Sequence, residues 1–134
     1  MFSVTSTLEP EIGGVVLKLS GSAVSDANEQ IHRYLAFVNA LHPRAVILDL
    51  SAMDIIVSRN IGELITFRRA IHAGPPGNTE PPPYGRVVIA AASPMIQKAL
   101  VFTRLTELFT LYSDVPAAVE ALRPQPTNTV RAGA

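Results

Sequence analysis

The sequence contains no cysteine. This absence excludes disulfide bonds, thiolate metal ligands and a cysteine nucleophile. An excess of charge of one sign is also missing, because 11 Lys and Arg residues balance 11 Asp and Glu residues. The composition therefore gives no electrostatic reason to expect nucleic acid or an anionic membrane surface as a partner.

Long apolar runs are absent as well, although 48% of the residues are hydrophobic. No run approaches the length that spans a bilayer. Residues 1–10 do not place a basic region before an apolar block, as a signal peptide would. We therefore expect a cytoplasmic protein with no direct membrane insertion, and its length suits a single domain.

Apolar alternation and short apolar runs predict strands, and apolar residues at helical spacing predict helices. The strands are predicted at 2–8, 15–20, 45–50, 86–91 and 109–112. The helix starts are predicted at Ser25 or Asp26, near Ser58, at Ser93-Pro94 and at Asp114. The predicted fold class is α/β, with one layer of about five strands and about four helices. We expect an N-terminal hairpin followed by parallel strands joined through right-handed crossovers.

Proline and glycine are concentrated in residues 74–85. Proline at this density fits neither a sheet nor a helix interior, so we expect a protruding loop extension. A docking peptide for an aromatic groove is the alternative interpretation. The predicted domain covers residues 1–123, and residues 124–134 are predicted to form a flexible tail.

A short polar turn is predicted between the strand at 45–50 and the following helix. It holds Ser58, Arg59 and Asn60 at the helix start. A hydroxyl group there lies beside unpaired backbone N–H groups and the positive end of the helix dipole. Ser58 is therefore a candidate helix cap, anion contact or phosphorylation site. Asn60 followed by Glu63 also fits a capping arrangement, which would give this turn a purely structural role.

Several segments in a fixed order carry a family resemblance. They are Leu19-Ser20-Gly21, residues 46–51 with Asp54, Ser58 followed by residues 61–64, Ala92-Ser93-Pro94 and the run at 100–109. From residue 15 to residue 122 the chain resembles a STAS domain. This family comprises the bacterial anti-sigma factor antagonists and the cytosolic tails of sulphate-type anion transporters. The resemblance implies the SpoIIAA-like form of the fold predicted above.

The resemblance implies a switch and not an enzyme. In antagonist members of the family, a serine at this helix start is phosphorylated by a partner that is both anti-sigma factor and serine kinase, and Ser58 matches that serine. The implied function is a protein-interaction regulator that binds such a partner and needs no cofactor. The candidate partner-binding residues are Ser22, Val24, Val57, Ser58, Arg59, Asn60 and Glu63.

The chain departs from the family pattern around this serine. Val57 replaces an acidic residue, Arg59 a small residue and Asn60 a glycine, and Val24 replaces the acidic residue that follows the Gly21 motif. Two carboxylates near the expected interface have thus become valines. We expect these changes to alter which partner is recognised and to alter the turn into the helix.

Two other functions stay open at this point. The chain fits an accessory subunit or cytosolic domain of an anion or lipid transporter, and it fits a nucleotide-binding module with its ligand at the helix N-terminus. A homodimer is also left open.

The remaining polar residues favour structural roles. His32, His42 and His72 are too far apart in sequence to indicate a metal site by local spacing. Turn hydrogen bonds account for Asp49 and Asp54, and Arg68-Arg69 is interpreted as a solvated helix face. No catalytic set can be proposed from spacing.

Overall fold

The structure, a computed structural model, describes residues 2–23 and 27–124. Its strands are β1 (Ser3–Glu9), β2 (Gly14–Ala23), β3 (Ala45–Ile56), β4 (Arg86–Ala90) and β5 (Leu111–Tyr112). Its helices are α1 (Asn28–Ala40), α2 (Ser58–Ala73), α3 (Pro94–Phe102) and α4 (Val115–Leu122). Short 3-10 helices occur at Pro10–Ile12 and Leu105–Glu107. Residues 125–134 of the predicted tail lie outside the described residues.

The strands form one sheet in the order β1-β2-β3-β4-β5. β1 pairs antiparallel with β2, and every other neighbouring pair is parallel. The predicted α/β fold with an N-terminal hairpin is therefore confirmed. The hairpin turns at Gly13, whose φ of 63° lies in the left-handed region that glycine adopts at little cost. Gly14 then passes so close to the carbonyl oxygen of Ala45 that no side chain fits there.

Helices cover the two faces of the sheet unequally. The first three helices pack on one face, and their buried side chains include Leu35 of α1, Leu64 of α2 and Leu100 of α3. α4 packs on the other face, where Ala118 joins a smaller cluster with Ile47. Apolar side chains alternate along β2 and β3 to serve both faces, as the period of a strand requires.

Two predicted helix starts are confirmed by their caps. The Ser93 hydroxyl oxygen accepts a hydrogen bond of 3.3 Å from the backbone N–H of Ile96, with proline at the first helical position. The Asp114 carboxylate accepts one of 2.8 Å from the backbone N–H of Ala117. The predicted cap at Ser25 or Asp26 lies outside the described residues.

The predicted turn before α2 is wrong in its length, because most of its residues belong to β3 or α2. β3 continues beyond Leu50 to Ile56, and Ser58 already belongs to the first turn of α2. The reason is tertiary, because the last residues of β2 run alongside and pair with this stretch up to Ile56. Asp54 is consequently an exposed strand residue, whereas the Asp49 carboxylate does accept a turn-type hydrogen bond from Ser51.

The predicted last strand is also shorter than expected. β5 begins at Leu111 and pairs with the end of β4. Phe109, which was predicted as strand, is instead a fully buried core residue after the Leu105–Glu107 turn. Burial of this aromatic ring, and not strand pairing, explains the apolar residue at this position.

Residues 74–85 contain neither helix nor strand. The loop is fastened to the body of the protein by Arg44, which makes two 2.9 Å hydrogen bonds to the carboxylate of Glu80. The same guanidinium lies 3.7 Å from the centre of the Tyr84 ring. A paired carboxylate in the middle of the loop and a cation–π contact near its end therefore hold the loop against Arg44.

Candidate functional site

The predicted partner-binding residues lie at the edge of the sheet where β2 and β3 end. Ser22 of β2 is opposite Ile55 of β3 in the parallel register. Val57 follows directly and leads into α2. Because parallel strands end at the same edge, the pairing brings Ser22 and the start of α2 together. Val24 lies outside the described residues.

Ser58 is exposed at the first position of α2. The cap position before it belongs to Val57, whose extended backbone (φ −112°, ψ 164°) turns the chain into the helix and whose side chain offers no acceptor. The Ser58 hydroxyl makes no hydrogen bond to any other described residue. Of the three roles predicted for Ser58, helix capping therefore has no support in this geometry.

Asn60, at the third position of α2, holds the turn into the helix through its side chain. Its side-chain oxygen accepts a hydrogen bond of 3.2 Å from the backbone N–H of Val57. Its side-chain nitrogen donates one of 3.2 Å to the side-chain oxygen of Asn28 at the start of α1. Asn60 is 0% exposed, and it is the one buried polar residue among those that the structure describes. It holds the two helix starts together, and we do not retain it as a direct partner contact.

Glu63 also joins α1 to α2. Its carboxylate lies 2.9 Å from Nδ1 of His32, and the two side chains are 24% and 67% exposed respectively. They stand at one end of a shallow groove of about 170 Å³ between the helices, lined with apolar side chains such as Leu35 and Phe67. Glu63 is therefore partly engaged within the protein, whereas Arg59 is exposed beside Ser58.

The sequence did not single out Ile55, which is 47% exposed at this edge. The sequence predicts a turn at residues 51–57, and a turn residue carries no expectation of a surface apolar contact. The apolar pair Ile55-Ile56 next to Ser58 was the available signal. The exposure of Ile55 alone does not mark an interface, because Phe102 and Leu8 are more exposed elsewhere.

Neither a metal site nor a membrane-spanning helix is found among the described residues. Within ranges 2–23 and 27–124, no three His, Asp or Glu side chains come together as metal ligands. In the same ranges, no helix combines the length and apolarity needed to cross a membrane.

No protein-family model matches the sequence, and no curated protein matches it. Solved structures do match in shape. An anti-sigma factor antagonist from Mycobacterium paratuberculosis is 24% identical with a TM-score of 0.72, over 91% of this chain and 96% of that one. The Bacillus cell fate determinant SpoIIAA in its phosphorylated form is 19% identical with a TM-score of 0.64, over 92% and 100%.

A transporter domain has the same shape. The STAS domain of a SulP transporter from Vibrio cholerae is 21% identical with a TM-score of 0.59, over 86% of this chain and 83% of that domain. The fold is that of STAS domains. The resemblance predicted from the sequence is thus confirmed for the fold. Within this STAS fold, Ser58 begins the helix that follows the central strand β3.

Proposed function

We propose that this protein is a non-enzymatic interaction regulator of the anti-sigma factor antagonist type. Its partner would be a cytoplasmic protein that is both anti-sigma factor and serine kinase. The contact surface would be the edge formed by Ser22, Val57, Ser58 and Arg59, with Val24 nearby in sequence. Phosphorylation of Ser58 would switch the interaction off.

One observation carries this proposal: Ser58 is exposed and takes no part in capping α2. A kinase can reach such a hydroxyl without unfolding the helix. The buried Asn60 holds the turn in place of Ser58, so modification of Ser58 leaves the helix start intact. The matching fold of antagonists with known structures supports the same role.

A phosphate on Ser58 would act on the interface through charge. It adds close to two negative charges at neutral pH, and these must be desolvated when a partner covers the site. The exposed apolar side chain of Ile55 would be covered in the same contact. Loss of only about 3 kcal/mol of interface energy weakens binding by roughly a hundredfold.

Arg59 adds a positive charge beside Ser58. Its guanidinium is exposed one residue after Ser58, where it could pair with the phosphate or with a carboxylate of the partner. With Val57 on the other side, Ser58 lies between one positive charge and one apolar side chain, and the exposed carboxylate of Asp54 precedes it by four residues. We therefore infer a partner with a carboxylate that meets Arg59 beside an apolar centre.

The test uses the protein as bait in lysate of the source cell, with wild type, Ser58→Ala and Ser58→Glu. Ser113→Glu is the matched control, because Ser113 is another exposed serine, located before α4. We expect wild type, Ser58→Ala and Ser113→Glu to capture an ATP-binding serine kinase, and Ser58→Glu to lose it. Mass spectrometry after incubation with that kinase and ATP should find phosphate on Ser58.

Equal capture by all four baits would contradict the switch. If the shared partner were a transporter permease or ATPase, the second candidate function would hold, namely an accessory subunit or domain of an anion or lipid transporter. The shape of the Vibrio cholerae transporter domain is the observation that keeps this candidate.

A further inference from the structure

A polar pocket lies at the opposite end of the sheet from Ser58. It has a volume of about 270 Å³, and its polar lining comes from Arg68 and His72 of α2, Arg86 of β4, Thr110 and Tyr112. Arg86 is opposite Ala45, the first residue of β3, so the pocket is at the edge where the parallel strands begin. Ten residues of helix separate Ser58 from Arg68, roughly 15 Å along the axis.

The pocket is lined by cationic groups without a compensating carboxylate. Its described lining residues include two arginines and a histidine but no Asp or Glu. Arg68 is half-buried, and its Nε donates a hydrogen bond of 2.8 Å to the carbonyl oxygen of Leu108. This bond fixes the guanidinium at the pocket wall. Its two terminal nitrogens have no hydrogen-bond partner among the described residues.

These basic side chains are not needed to cap the C-terminal end of α2. The last carbonyl groups of the helix already accept backbone hydrogen bonds from the following chain. Gly74 donates to Ala70 at 3.1 Å, Gly85 to Ile71 at 3.1 Å and Tyr84 to His72 at 2.7 Å. Capping of the helix C-terminus therefore does not explain why three basic side chains gather here.

His72 experiences the uncompensated charge directly. The pKa of His72 is lowered from its ordinary value, first by burial and then by the positive charges of Arg68 and Arg86. The titratable groups that face the pocket are Arg68, His72, Arg86 and Tyr112. The site thus has positive charge that a bound anion would neutralise.

A backbone N–H group adds a hydrogen-bond donor to the lining of this pocket. The N–H of Arg86 points to β3, where it binds the carbonyl oxygen of Arg44, and the N–H of Ile89 points to β5, where it binds Thr110. Successive residues of a strand alternate in this direction. The N–H of Val87 therefore faces the side of the pocket, beyond the start of the short strand β5.

From these groups we propose that the pocket binds the phosphate group of a small phosphate monoester. The guanidinium groups of Arg68 and Arg86 would hold the phosphate oxygens, as guanidinium geometry favours. His72 and the N–H of Val87 would donate further hydrogen bonds. The pocket also includes Pro83 and Leu122, which leave an apolar wall for the alcohol portion of the ester.

The test is an NMR titration of the whole chain with inorganic phosphate and with phenyl phosphate, each balanced by chloride to constant ionic strength. We expect shifts of the Val87 and Thr110 amides and of the His72 ring. Phenyl phosphate should bind more tightly than inorganic phosphate. Arg68→Gln and Arg86→Gln should each weaken binding by about tenfold or more.

Arg69→Gln is the matched control, because Arg69 is the exposed neighbour of Arg68 on the same helix. It should bind phosphate like the wild type, and amide spectra of all variants should show that the fold is kept. Absence of saturable shifts would overturn the proposal. So would binding that survives Arg68→Gln and Arg86→Gln together, or shifts that centre on Ser58 in place of Val87.

Discussion

The side-chain nitrogen of Asn60 donates a hydrogen bond to the side-chain oxygen of Asn28 across 3.2 Å. This bond joins the start of α2 to the start of α1, while the oxygen of the same amide accepts a hydrogen bond from the backbone N–H of Val57. One buried side chain therefore fixes the position of both helices at the candidate site.

Replacement of Asn60 by alanine should destabilise the fold. The change leaves the N–H of Val57 and the amide of Asn28 without their partner, at a cost of about 1–3 kcal/mol. Chemical denaturation should show a lower midpoint. Asn39→Ala is the control, since Asn39 is a partly buried α1 residue at the groove between the same helices. A midpoint equal to that of the control would show that the buried amide contributes nothing.

A negative charge at Ser58 should not unfold the protein. The Ser58→Glu side chain would sit at the positive end of α2, which favours it by about 0.3–1 kcal/mol. We expect an unchanged or raised Tm, and a lowered Tm for Ser58→Lys. Calorimetry of both variants checks this. A marked loss of stability in Ser58→Glu would mean that lost partner binding reflects unfolding.

The ion pair of Arg44 and Glu80 should make the attachment of loop 74–85 depend on pH in the acid range. The pKa of Glu80 is lowered, first by the hydrogen bonds from Arg44. A lowered carboxyl pKa contributes stability that is present above the ordinary value and is lost as pH falls through the folded value. We expect lower protection factors, that is amide exchange corrected for its intrinsic pH dependence, in the loop at that acid pH. In Arg44→Met, the Glu80 carboxyl signal should titrate near 4.5, its ordinary value.

His72 should titrate below its ordinary value of 6.5. Its lowered pKa means that the folded protein binds the proton less readily than the unfolded chain does. The associated stability is fully present above pH 6.5 and is lost as pH falls through the folded pKa. Proton NMR of the ring measures this value, and Arg86→Gln should raise it. An unchanged pKa of His72 in that variant would show that the charge of Arg86 does not act on His72.

Two glycines should respond to alanine in opposite directions. A Cβ at Gly14 would lie 1.9 Å from the carbonyl oxygen of Ala45, so Gly14→Ala must push β2 away from β3. We expect a loss of about 1–3 kcal/mol. A Cβ at Gly62 in α2 meets nothing within 4 Å. Gly62→Ala should therefore stabilise the helix by about 0.5–1 kcal/mol, as measured by urea denaturation.

The sequence predicted those features that depend on neighbouring residues. The caps at Ser93 and Asp114 need only a side-chain acceptor and a nearby N–H, and both occur where expected. The full length of β3 could not be predicted this way. Residues 51–56 mix polar and apolar side chains without a clear strand pattern, and they form a strand because β2 pairs with them, a contact between distant parts of the chain.

The same distinction applies to the candidate sites. The burial of Asn60 depends on Asn28 of another helix, so the sequence alone indicated only a turn. Arg68 and Arg69 are identical in type and adjacent, yet only Arg68 lies beside the buried stripe of Leu64 and Ile71 and reaches a pocket wall. The apolar stripe can be read from the sequence. The pocket cannot, because residues of β4 and β5 form part of its wall.

The strand order has a consequence for how the chain folds. β1 and β2 are joined through the short 3-10 turn at Pro10–Ile12, so their pairing closes a small loop, which hairpins of this kind do in about 1–10 μs. Every parallel pair instead spans a helix and must close a much longer loop. The hairpin should therefore gain hydrogen-exchange protection first during refolding, and the edge that carries Ser58 should form only after α1 has docked.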